Sequence, residues 1–141
     1  MTYRTSPYID FPGNAEEVLT YYQSIFGGEL EISKYDDMDL SKFPFTPPPG
    51  IVAHGDLRGP HLNISGGDDF GPAPKSLGER GLAMSLYANT AKEARELITK
   101  LIDTGATVEM PFEEAPWGGW FGQVKDRFGM LWQISADPGS A

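Results

Sequence analysis

GNAEEVLTYYQSIFGG, residues 13–28, is the stretch from which the fold can be built. Ala15, Val18, Leu19, Tyr22, Ile25 and Phe26 recur at steps of three and four, the apolar stripe of an amphipathic helix. Asn14 stands where an N-cap belongs, Glu16 and Glu17 sit at the positive end of the helix dipole, and Gly27-Gly28 suits a C-cap. The spacing therefore predicts a helix over about residues 14–26. SPYIDF (6–11) before it and ELEISKY (29–35) after it read as strands, the second with apolar and polar residues alternating. Residues 36–50 hold an acidic cluster and then FPFTPPPG, whose prolines stiffen a loop. IVAHGDL (51–57) and HLNIS (61–65) follow as strands joined at Arg58-Gly59-Pro60.

The second half repeats this plan. LAMSLYA (82–88) is strand-like and NTAKEARELITKLIDTG (89–105) is a second amphipathic helix. Asn89 or Thr90 caps it, Glu93 completes a capping box with Thr90, and Gly105 ends it. ATVEMP, WFGQVKD and MLWQIS then read as strands, the last two meeting at a turn over Asp126–Gly129. Strand, helix and three strands thus occur twice, an α+β chain of two βαβββ modules: about 1–65 and about 82–141, with a Gly/Pro/Asp-rich linker over about 66–81. A helix covers only one face of each small sheet, so the other face must also be covered. Pairing the two modules does this and predicts a barrel-like cleft with a pocket.

Composition narrows the function classes. Twenty acidic against eleven basic side chains, the latter thinly spread, argue against nucleic acid as a partner. The absence of cysteine removes disulfides, thiolate metal sites and a cysteine nucleophile. No apolar run reaches the ~18 residues of a membrane span, and MTYRTSPYID lacks a signal peptide's apolar stretch, so a cytoplasmic protein is expected. GGDDFG and WGGWFG lack the GK[ST] ending of a phosphate loop.

Two histidines carry any imidazole chemistry. His54 alternates with Val52 and Asp56 on one strand face, and His61 shares a face with Asn63 and Ser65. If the hairpin brings these faces together, His54 and Asp56 form an acid/base pair within a polar cluster that includes His61 and Asn63. The alternative is a hydrogen-bonded strand residue at His54 and a turn neighbour at His61.

YIDFPGNAEEVLTYYQSIFGGEL, IVAHGDL and the run from SLYANTAKEAR to FGMLWQIS, taken in order, resemble the vicinal oxygen chelate superfamily of glyoxalase I, bleomycin-resistance proteins and extradiol dioxygenases. The resemblance is closer to its PhnB-like branch, whose members are often labelled 3-demethylubiquinone 3-methyltransferase-like, and it covers nearly the whole chain. It implies the glyoxalase-like fold, a homodimer, and metal-ligand positions at Pro7, near Asn63, at Leu82 or Met84, and at Gln133. One or two amides fall short of the three donors that a catalytic metal needs, so no metal and no cofactor are expected. No glycine-rich first turn or doubly wound alternation supports an adenosyl cofactor.

The same correspondence puts Leu82, Met84 and Leu86 on an inner face with Leu131, Gln133 and Ser135, leaving Met130, Trp132 and Ile134 to pack outward against a helix. At least one of Trp117 and Trp120 is expected at the pocket mouth, and the segment from Phe43 to Gly50, with Phe45, as a lid or dimer clasp. These residues predict a binding protein for a small apolar or aromatic molecule, with His61, Asn63, Met84, Trp117, Trp120 and Gln133 as contacts and no metal. A metal-independent isomerase or lyase using His54 and Asp56 is the alternative, with a metal-dependent glyoxalase or dioxygenase a further one.

Overall fold

The computed structural model describes residues 4–41, 44–70 and 77–139. The chain divides into two compact units, Met1–Lys75 and Ser76–Ala141. The first contains β1 (Tyr8–Phe11), α1 (Ala15–Phe26), β2 (Glu29–Lys34), β3 (Val52–Arg58) and β4 (Asn63–Asp68). The second contains β5 (Ala83–Ala88), α2 (Ala91–Asp103), β6 (Thr107–Glu114), β7 (Trp120–Lys125) and β8 (Leu131–Ala136). Both helices and all eight strands fall where the periodicity predicts them. Residues 71–76 of the linker and Phe43 lie outside the described residues.

Each unit forms one open four-stranded sheet, ordered β1-β4-β3-β2 and β5-β8-β7-β6. The first strand of each runs parallel to the last, and the other pairs are antiparallel. A parallel pair needs a long crossover, which here includes the helix and so sets it on one face of its sheet. Each sheet is open, with β1 and β2 at the edges of one and β5 and β6 at the edges of the other. Neither helix is long and apolar enough to cross a membrane.

In the first unit, Ile9, Phe11, Leu57 and Ile64 are buried with Val18, Leu19 and Tyr22 of α1. Burying each aliphatic or Phe side chain contributes roughly 1.5–3 kcal/mol. The cap of α1 departs from expectation, because Asn14 makes no side-chain cap bond. Instead Asp68, at the end of β4, accepts a hydrogen bond from the Ala15 N–H at 2.8 Å, while its other oxygen accepts from the Val52 N–H at 3.0 Å. One carboxylate thus ties the helix start to the sheet and places negative charge at the dipole's positive end. For α2 the cap is Thr90, whose Oγ1 accepts from the Glu93 N–H at 3.1 Å.

In the second unit, Trp132, Ile134 and Ala136 are buried on the face that α2 covers, with Ala91, Ala94, Ile98 and Leu101 from the helix. The predicted turn closes through the Gly129 N–H to the Asp126 carbonyl at 2.9 Å. Asp126 itself is buried, and its function is structural. Oδ1 accepts from the backbone N–H groups of Phe128 at 2.9 Å and Met130 at 3.0 Å, and Oδ2 accepts from the Trp132 indole N–H at 2.9 Å.

Candidate functional site

The face of the first sheet opposite α1 is polar by register. Asp56 pairs with Ser65, Arg58 with Asn63 and Glu31 with Asp56, so these side chains share it with Tyr8, His54 and Ser33. The expected His54–Asp56 pair does not form. Asp56 Oδ2 bonds Arg4 Nη2 at 2.7 Å and lies 3.2 Å from Arg58 Nε, while Oδ1 accepts the Ser65 hydroxyl proton at 2.7 Å. Arg58 continues to Glu31 at 2.6 Å. Two guanidinium groups compete more strongly for a carboxylate than an imidazole does, since they are permanently charged and present forked donors. His54 stacks on Tyr8 instead, with ring centroids 5.9 Å apart. His61 lies exposed in the β3–β4 turn rather than on a strand, apart from any such cluster.

Burial pushes the Asp56 carboxyl up, but hydrogen bonds from Ser65 and Arg4 and the charges of Arg4 and Arg58 outweigh it and hold the group below the ordinary carboxylate range. A depressed folded-state pKa stabilises the fold above the unfolded value of about 3.9 and is lost as pH falls through the folded value. Asp56→Asn is therefore expected to cost about 1–3 kcal/mol at neutral pH. It also flattens the decline in stability below about pH 4. Urea unfolding across acidic pH checks this; an unchanged acid limb would show that the network does not couple to folding.

In the second unit the register revises the expected inner face. Met84 pairs with Trp132 and Leu86 with Ile134, so these residues lie on the helix side, while Leu82 precedes β5 and is exposed. Ser85 and Tyr87 are the residues that share a face with Gln133 and Ser135. The apolar alternation of β5 serves the core under α2, as a half-buried strand does. Trp120 also belongs to the helix side, opposite Ala136. It stacks on Phe112 at 5.8 Å beneath the Arg95 guanidinium, which lies 4.7 Å from the indole centroid. Of the expected contacts, Gln133 alone among Met84, Trp120 and Gln133 lies on the open face, paired with Gln123 and flanked by Phe121 opposite Ser135.

Trp117 stands at the end of that face. Its ring meets Phe121 edge-on at 5.9 Å and is otherwise 72% exposed, which leaves an indole surface free for contact. Phe121, Gln123 and Met110 escaped the sequence reading because their face depends on pairing between β6, β7 and β8. The bulges in β6 between Val108 and Glu113 interrupt the simple alternation there. In the first unit, Phe45 packs against Tyr35 at 5.9 Å and Phe70 at 5.6 Å, inside its own module.

The donor set does not fit a superfamily metal. Pro7 supplies only a carbonyl, already accepting from the Ser65 N–H at 2.9 Å, and Met84 faces the helix side. Asn63 and Gln133 remain, one amide in each unit.

Two βαβββ units with one helix per open sheet define the glyoxalase-like fold of the vicinal oxygen chelate superfamily, in its PhnB-like form. More particularly, the chain belongs to the family described as 3-demethylubiquinone-9 3-methyltransferase, whose model matches residues 4–135. It is 28% identical to Protein YjdN of Escherichia coli K12, over 92% of each chain. Among solved structures it resembles protein PA1353 from Pseudomonas aeruginosa at 28% identity and a TM-score of 0.70, covering 96% of this chain and 98% of that one. A Bacillus cereus PhnB protein described as a putative 3-demethylubiquinone-9 3-methyltransferase matches in fold at 21% identity and a TM-score of 0.73, over 96% of this chain and all of that one. Neither sheet here is the doubly wound parallel kind that binds dinucleotide-type cofactors at a strand-order switch.

Proposed function

We propose that this protein binds a small aromatic or apolar molecule, without a resident metal, on the open face of the second unit's sheet. The observation that carries the reading is the alignment of Phe121, Gln123, Gln133 and Ser135 on that face beside the exposed Trp117. An aromatic platform supplies contact area, and two amides and a hydroxyl supply orientation, the usual division of labour in a small-molecule site. The two-amide donor set supports a metal-free ligand mode. The homodimer implied by the resemblance belongs to the same proposal and is checked by molecular mass in solution.

The test is native mass spectrometry for co-purified small molecules, followed by thermal denaturation with the compounds found. A ligand at about one hundred times its dissociation constant stabilises the fold by ~2.7 kcal/mol. Gln133→Ala and Phe121→Ala are expected to remove most of that increment while leaving unliganded stability within about 1–2 kcal/mol. Stabilisation indifferent to both substitutions would place the ligand elsewhere, and stoichiometric zinc, nickel, manganese or iron in native protein would overturn the metal-free reading.

A further inference from the structure

The groove beside Trp117 carries information about ligand charge. It lies between β6 and the β6–β7 turn, has a volume of about 280 Å³, and is lined by Met110, Pro111, Glu113, Pro116, Trp117 and Phe121 among others. The turn is held by the Ala115 N–H to the Gly119 carbonyl at 2.6 Å and by the Gly118 N–H to the Ala115 carbonyl at 3.0 Å. Gly118 has φ of 103°, a conformation that side chains resist, so glycine there lets the turn present Trp117 at a defined position. Phe121 meets the indole from the edge, and the apolar walls suit a flat ring.

Charge decides what kind of flat ring. Glu113 pairs with Phe121 and so stands on the groove's face, whereas Glu114 pairs with Trp120 and so belongs to the helix side, meeting the groove only at its edge. Among the described residues no ion pair or hydrogen bond engages the Glu113 carboxylate; the β6 glutamate that has a cation is Glu109, 3.9 Å from Lys125. An indole face is itself attractive to cations through its quadrupole. The whole chain carries a net charge of -9, which draws cations and repels anions at encounter.

We infer that the Trp117 groove selects planar organic cations, stacking the ring on Trp117 and neutralising the charge on Glu113. This rests on the small-molecule reading above and adds the charge class. The probes are N-methylquinolinium and quinoline, near-isosteres of which only the first is charged at neutral pH. Binding is followed through the Trp117 indole N–H resonance and tryptophan fluorescence.

The cation is expected to bind about tenfold more tightly than quinoline, with the preference shrinking as salt is raised. Glu113→Gln brings the two within about twofold, and Trp117→Ala weakens both. Equal affinities in the wild-type protein, with Trp117 still required, would overturn the charge selection and leave the aromatic-binding reading standing. Failure of both probes to perturb Trp117 would overturn the inference, while the co-purification experiment still judges that reading by itself.

Discussion

Asp126→Ala lowers stability by about 3–5 kcal/mol, the largest effect expected of any single polar substitution here. Asp126 is 4% exposed and its carboxylate accepts two hydrogen bonds from backbone N–H groups at the β7–β8 turn and one from the Trp132 indole. Alanine removes the acceptor that these three donors share, two of the bonds being buried. The cost of stranded donors exceeds the net worth of the bonds, because their desolvation is no longer compensated. Asp126→Asn separates the contributions: its oxygen can keep the two backbone donors, but its NH2 then faces the indole N–H, donor against donor. Trp132→Phe removes that clash, so Asp126→Asn/Trp132→Phe is expected to be more stable than the sum of its single changes. Chemical denaturation of the four proteins measures the coupling, and strict additivity would show that the Asp126–Trp132 bond does not contribute.

Gly66→Ala is the second large effect, expected at about 2–4 kcal/mol. A Cβ on Gly66 would collide with the backbone carbonyl oxygen of Ile9 and come within 2.5 Å of Phe11 Cε2. Gly66 pairs with Ile9 across the parallel β1–β4 contact, while Ile9 and Phe11 are buried under the helix. The obstructing oxygen belongs to the neighbouring strand, so no rotamer change relieves it, and β1 must move away. The measurement is urea unfolding together with hydrogen exchange of β1 and β4 amides. Native-like protection of the Ser65 N–H, which donates to the Pro7 carbonyl at 2.9 Å, alongside unchanged stability would contradict this account.

The same two residues show how much was legible in the chain. The DRFG turn at 126–129 announces itself through its Asp and Gly, and the structure closes it there. That Asp126 also holds an indole six residues later is not a turn property; it follows from the β7–β8 register, which sets Trp132 opposite Val124, two residues before Asp126. The cap of α1 follows the same pattern. Asn14 occupies the local cap position, yet the bond to the Ala15 N–H comes from Asp68, fifty-three residues beyond Ala15, because β4 ends beside the helix start.

The candidate site was read less completely, for a related reason. The alternation of Met84 and Leu86 does put them on one face of β5, but alternation alone does not say which face of the sheet it is. Pairing Met84 with Trp132 turns them toward α2 and leaves Ser85 and Tyr87 beside Gln133. His54 and Asp56 share a face as their spacing requires, yet Arg4 and Arg58 reach the carboxylate and His54 goes to Tyr8. Trp117 and Trp120 are close in sequence, but one lies exposed by the groove while the other is stacked under Arg95.

The amino-acid sequence by itself determined the elements, their order and their repetition, since periods of two and 3.6 and the capping and turn residues are local properties of the chain. Only the tertiary structure decided which face each strand shows to its helix and which partner each buried charge takes. Those outcomes depend on strand register and on competition among distant side chains, and a linear pattern contains neither.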